Sequence, residues 1–266
     1  MSRAVRAELV KLTTTRVWWG LLLIALGLVL LNVGLLAALG PVEPAGAEAF
    51  PFPLLTTAQG QLALVGSGYQ SGYLMAAVAG TLVATTDVRN GTLAQTFLAV
   101  PRRGLVAAAK LLTAGILGLL YGIAVQLASV AVAGLVLAVR GVDLVPVDEL
   151  ARPLALGVLG VGVWALIGVG FGLLVRHQVV AVVTVVVVVF LLDPLLVLAL
   201  GAIGEVGGVD LETVGTYLLT SASTAVVEGF TGARLLPWWG GLLVLLAWAG
   251  ALGTLAWRTT LRRDVT

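Results

Sequence analysis

Long uninterrupted apolar runs constrain this chain more than any other feature. Several exceed 18 residues, the length at which an apolar stretch reads as a membrane helix and not as a helix of a soluble core. Of the 266 residues, 60% are hydrophobic and only 11% charged, whereas a soluble domain carries roughly 25% charged residues. Mean hydropathy is +1.11. A polar surface this small could not cover so much apolar material in water. The first run continues to Leu39 without a small-residue cleavage site behind a short core, so the expectation is a retained span and not a removed signal peptide.

The pattern predicts an all-α membrane protein, a six-transmembrane-helix bundle in one domain. Expected spans are 17–39, 62–86, 111–139, 153–175, 179–203 and 235–257. Each is long enough at about 1.5 Å per residue to cross a hydrocarbon core of about 30 Å. The second is interrupted by Gly66, Ser67, Gly68, Gln70 and Ser71, which leaves its start open. Residues 2–16 form a basic amphipathic leader with Val5, Leu9 and Leu12 on one face and Arg3, Arg6 and Lys11 off it. Such a helix can lie in the interface or serve only to set orientation. The 204–234 stretch is too apolar for a free loop, and physics alone allows either a pair of outer helices dipping back or a surface cap. Gly118 with Gly122, and Gly168 with Gly172, have the small-xxx-small spacing that lets helices approach closely in lipid.

Six spans put both termini on one side. The leader, the 87–110 connection, the 176–178 turn and the tail hold twelve of the fifteen Lys and Arg. Basic residues concentrate on the cytoplasmic side, so that side is expected inside. The chain has no cysteine and a single histidine, His177. Thiolate metal sites and disulfides are thereby excluded, and a net charge of +2 is too small to suggest nucleic acid as a partner.

The 87–110 connection is the most informative segment. Asp87, Arg89, Asn90 and Gly91 are followed by Thr92, Leu93, Phe97, Pro101, Arg102, Arg103 and Lys110. Asn90-Gly91 is a turn signal. Thr92 with Gln95 has the form of a capping box, Leu93, Phe97 and Val100 share one helical face, and Pro101 ends the pattern. A short amphipathic helix is expected on the cytoplasmic surface, either floating at the headgroups or docking its apolar side into another protein.

Here the sequence resembles a family, the type-2 ATP-binding-cassette exporter permeases of bacteria. The order acidic, basic, Gly-Thr-Leu, Pro, Arg, Lys is similar to their cytoplasmic signature. The start Arg6-Ala-Glu8-Leu9-Val-Lys11-Leu12 resembles their N-terminal connecting helix, and Arg262-Arg263-Asp264-Val265 their tail. Asp87 stands where glutamate is commoner in that family, and Pro101 is followed directly by Arg102. The resemblance implies a multi-pass permease in the bacterial plasma membrane, with 92–100 as the coupling helix and Asp87, Arg89, Gly91, Thr92, Leu93, Phe97, Pro101, Arg102 and Arg103 at the contact with a separate cytoplasmic ATPase. It also implies a second permease as partner, identical or homologous, and short outer helices within 204–234. No Gly-rich phosphate loop ending in Gly-Lys-Ser/Thr occurs. ATP and magnesium are therefore expected on the partner, with no cofactor, metal or catalytic residue in this chain.

Asp193 is the one ionisable residue well inside a span, and Pro194 beside it can break the helix. It either caps a broken helix or serves cargo or protons. Polar groups within spans are few, Gln126, Ser129 and Thr184 among them, a lining suited to an amphipathic or lipid-like cargo. Alternatives are an ion-driven secondary transporter, a non-transporting anchor or immunity subunit, and an intramembrane serine protease. The last needs a serine and a histidine that meet. Ser67 and His177 fall at opposite span ends.

Overall fold

The computed structural model describes residues 2–43, 53–92, 103–175, 177–208, 211–228 and 236–261. Among these the secondary structure is helical, with no strand. The helices are α1 (Ser2–Thr14), α2 (Val17–Leu39), α3 (Ala58–Arg89), α4 (Arg103–Val139), α5 (Val147–Leu174), α6 (Gln178–Val187), α7 (Asp193–Gly207), α8 (Glu212–Gly215), α9 (Leu219–Glu228) and α10 (Trp238–Ala256). A π-helical turn, Val188–Leu192, joins α6 to α7, and another, Trp257–Leu261, ends α10.

Among the described residues, five helical stretches are long and apolar enough to cross a membrane: Val17–Leu39, Gly104–Val139, Val147–Leu174, Gln178–Gly207 and Trp238–Thr259. They fit an integral, multi-pass membrane protein. The remaining long helix, α3, has 32 residues and at about 1.5 Å each runs roughly 48 Å. Most of it is buried, with small and polar residues among the buried ones. The glycines and serines that interrupt its hydropathy sit where neighbouring helices press in. A Cβ on Gly68 would lie 2.5 Å from Ser129 Oγ, and one on Gly72 would lie 2.9 Å from Val125. Ser67 Oγ donates to the Leu64 carbonyl at 2.7 Å, and Ser129 Oγ to the Val65 carbonyl at 2.8 Å. The helix therefore runs unbroken from its Thr57 cap, whose hydroxyl accepts from Gly60 N at 3.1 Å, to the turn at Gly91 with φ +66°.

Helices α3 and α5 form the centre. In α5, 72% of the most apolar stretch is buried, against 22% for Val17–Leu39. An apolar helix that stays uncovered belongs at the periphery, where lipid is the natural neighbour. The two central helices touch backbone to backbone. A Cβ on Gly168 would fall 1.9 Å from the Ala77 carbonyl, and one on Gly172 2.7 Å from Ala84 and Thr81. Gly118 and Gly122 of α4 do the same against Gly162, Ala165 and Val158 of α5. Both glycine pairs singled out by their spacing thus sit at helix contacts. At the end opposite α1, Arg140 Nη1 donates to the Ala37 and Gly40 carbonyls at 2.8 and 2.7 Å, satisfying free acceptors at the end of α2.

Several boundaries differ from the sequence expectation. Helix α4 begins at Arg103, eight residues before the expected 111, so Lys110 lies inside it. Helix α5 begins at Val147 and absorbs Pro153 in its second turn. Pro194 does not break its helix, because the π turn takes up the missing donor and α7 continues directly.

Candidate functional site

The leader helix buries a charged residue beside its apolar stripe. Val5 and Leu9 are only half-buried, Val10 is exposed, and Glu8 is the buried residue at 7% exposure. Glu8 and Lys11, one turn apart, point into the bundle and meet the last turn of α3 and the second turn of α4. Lys11 Nζ lies 2.7 Å from both Glu8 Oε1 and Asp87 Oδ1. Lys110 Nζ lies 2.7 Å from Asp87 Oδ2 and 3.3 Å from Glu8 Oε2. Each cation thus bridges both carboxylates, and the ring of alternating charges closes on itself.

Burial makes this ring consequential. Asp87 is 1% exposed and Lys110 2%. Lys110 also donates to the Val83 carbonyl at 2.9 Å. A buried charge is tolerated only when paired and hydrogen-bonded, and here the partners come from three elements. Burial alone would raise the Asp87 pKa. The Lys110 charge, together with hydrogen bonds from Lys11 and Lys110, overcomes that and holds it below the usual carboxylate value. For Lys11 burial works toward a lower value, and the hydrogen bonds to Asp87 and Glu8 win, holding it above the usual amine value.

Asp87 also reaches forward along the chain. Thr92 N donates to the Asp87 carbonyl at 3.0 Å and Thr92 Oγ1 to Asp87 Oδ1 at 3.3 Å. The turn through Arg89, Asn90 and Gly91 is thereby tied to the ring. Of the residues expected at an ATPase contact, the structure brings Asp87 and Thr92 together, with Gly91 in the turn and Arg89 exposed beside it. Leu93, Phe97, Pro101 and Arg102 lie outside the described residues, as do the expected 92–100 helix beyond Thr92 and the side chain of Arg103.

A third buried carboxylate lies elsewhere. Asp193 is 4% exposed and about 22 Å along the helix from Gln178. Its Oδ1 accepts from Leu219 N at 2.9 Å, and its Oδ2 from Thr220 N at 2.8 Å and from the Thr220 hydroxyl. Asp193 therefore caps the start of α9, a different helix from its own, where an anion also meets the positive end of the helix dipole. The 211–228 stretch folds back into the bundle around this point. Ser223 of α9 accepts from Trp164 Nε1 at 2.8 Å and shares a 2.7 Å hydrogen bond with the Tyr69 hydroxyl. Trp248 Nε1 donates to the Tyr217 carbonyl at 3.1 Å.

Gln126 is 3% exposed and packs on Gly157, and its Oε1 has no hydrogen-bond partner among the described residues. His177 is exposed and caps α6, Nδ1 accepting from Val180 N at 3.4 Å. Among the described residues no group of His, Cys, Asp and Glu could hold a metal ion. The arrangement cross-links helices and offers no nucleophile with its base. Sequence reasoning missed Glu8 as a buried partner. The signal was a Glu–Lys pair one turn apart at the edge of the apolar stripe of a basic leader. No family model matches the sequence, and no curated protein matches it.

Proposed function

We propose that this chain is the membrane-spanning permease subunit of an ATP-binding-cassette exporter, working with a separate cytoplasmic ATPase. In this reading α3 is a sixth span, the termini and the ring of charges face the cytoplasm, and residues 92–100 form the coupling helix in the plasma membrane of a bacterium. A second permease, a copy or a homologue, completes the pathway, and the cargo is amphipathic or lipid-like.

The observation that carries the reading is the mounting of the 87–110 segment. Its two ends, Asp87 and Lys110, are clamped to one another and to α1 through Glu8 and Lys11. A segment that relays force from a soluble motor to helices needs such an anchorage. Otherwise its motion would dissipate in the loop. The distribution of basic residues supports the orientation. An ion-driven carrier is less well supported, because Asp193, the carboxylate well inside an expected span, is occupied in capping α9. Such carriers usually show several intramembrane charges.

The test is co-purification and co-reconstitution with an ATP-binding-cassette ATPase from the same genome. Replacing Phe97 with Glu should lower permease-stimulated ATP hydrolysis by roughly tenfold, as loss of a buried aromatic anchor does, with membrane insertion unchanged. Normal stimulation by the variant would remove the docking role of this helix. Vanadate-sensitive export from loaded vesicles would separate a permease from a non-transporting anchor of the same fold.

A further inference from the structure

Two clefts abut at the end of the bundle that holds the ring of charges. One, of about 250 Å³, is lined by Trp18, Leu21, Thr86, Arg89 and Gln178 among others. The second, of about 660 Å³, runs on along Val179, Val182 and Val183. Leu82, Arg89 and Gln178 line both, so the smaller chamber opens beside a larger one that continues along the valines of α6.

The walls of the smaller cleft carry unmade hydrogen bonds of opposite kind. Trp18 Nε1 is buried with no acceptor, and Gln178 Oε1 is buried with no donor, among the described residues. Both are held: the Trp18 carbonyl accepts from the Tyr121 hydroxyl, and Gln178 begins α6 directly after its His177 cap. Buried polar atoms without partners are costly, and a molecule bringing one acceptor and one donor would relieve both once the two side chains turn toward the cleft. Arg89 is exposed at the rim and forms no ion pair among the described residues.

We infer that this cleft binds an anionic phospholipid with a hydroxyl-bearing headgroup, of the phosphatidylglycerol type. Its phosphate accepts from Trp18 Nε1 and faces the Arg89 guanidinium, a headgroup hydroxyl donates to Gln178 Oε1, and an acyl chain lies along Val179, Val182 and Val183. Basic pockets between membrane helices select anionic headgroups in this way. A choline headgroup has no donor for Gln178, and an ethanolamine headgroup cancels the charge that Arg89 favours. The inference needs these helices to lie in a bilayer and does not depend on coupling to an ATPase.

The experiment is native mass spectrometry of the full chain, extracted from vesicles of equimolar phosphatidylglycerol and phosphatidylcholine, counting retained lipids. Wild type should keep phosphatidylglycerol preferentially. Arg89→Gln should cut that preference about fivefold, and Trp18→Phe, which keeps the ring and removes the donor, by a smaller factor. Arg258→Gln, an exposed arginine on α10, should leave it unchanged. If Arg89→Gln does not yield folded protein, Trp18→Phe and Arg89→Lys, which should retain most of the preference, decide the matter. Equal loss in Arg258→Gln, or no loss in Trp18→Phe, overturns the proposal. So does protection against thermal unfolding by inorganic phosphate or glycerol 3-phosphate in pure phosphatidylcholine, which would make the ligand a soluble phosphate compound.

Discussion

Two of the buried carboxylates of this bundle, Asp87 and Asp193, are made tolerable in different ways. Asp87 is surrounded by opposite charge, two ammonium groups from α1 and α4 that also serve Glu8. Asp193 meets no cation in the structure's described ion pairs, and two backbone N–H groups and a hydroxyl at the start of α9 satisfy it instead. The first solution needs side chains from three elements and locks them together. The second needs one helix terminus and positions one short helix. The difference is between a junction and a cap, and it separates the part of the molecule built to hold several helices in register from the part built to seat one segment.

The comparison is broken most severely at Lys110. Lys110→Met leaves Asp87 and Glu8 with only the half-exposed Lys11, and removing one partner of a buried ion pair costs about 3–5 kcal/mol. A large drop in the thermal midpoint of the detergent-purified chain is expected, together with faster proteolysis at the α1 end. If Lys110→Met and Asp87→Asn combined are no worse than either alone, the two act as a pair. Additive losses would show that the ring is a coincidence of proximity.

Asp193→Ala comes next. It strips the acceptors from Leu219 N and Thr220 N, each buried N–H costing about 1–3 kcal/mol when left unmet. Part of the loss should be local: amide exchange at 219–228 should rise while the α1 junction stays protected. Asp193→Asn keeps one oxygen acceptor and should recover roughly half of the loss. Were exchange to rise equally at both places, the cap would be supporting the whole bundle and the distinction drawn above would fail.

Five of the six expected spans coincide with long apolar helices, because a helix suited to lipid is apolar all round and leaves plain length as the signal. Helix α3 shows where that signal weakens. Gly66 and Gly68 read as interruptions, yet they are small because Val227 and Ser129 press in on them from different sides. A hydropathy profile sees lost apolarity and not the contact that requires it. Asp193 was legible as a capping candidate, but its partner was not, since Leu219 lies 26 residues away. The ring was least visible of all. Lys110 and Glu8 are 102 residues apart, and a leader with Val5, Leu9 and Leu12 in register looks like an interfacial helix until Glu8 is seen to face inward. Local pattern cannot report that a charge is buried when its partners lie in other elements.

The smallest expected effect lies at Lys11, and it sharpens the comparison by its pH dependence. The side chain is 36% exposed, so solvent screens its pairs and Lys11→Met should cost no more than about 1 kcal/mol near neutrality. Its ammonium is held above the ordinary amine value. That contribution is complete below an unfolded value of about 10.4 and fades only as pH rises through the higher folded value. Asp87 works in the other direction. Its pKa is depressed, so its contribution is complete above about 3.9 and is lost as pH falls through the lower folded value. The stability gap between wild type and Lys11→Met should therefore stay flat from about pH 5 to pH 10 and close only beyond those limits. A gap that instead changes between pH 6 and 8 would mean that a group titrating in the neutral range governs the junction. The charges of Glu8, Lys11, Asp87 and Lys110 would then not be what fastens α1 to the spans.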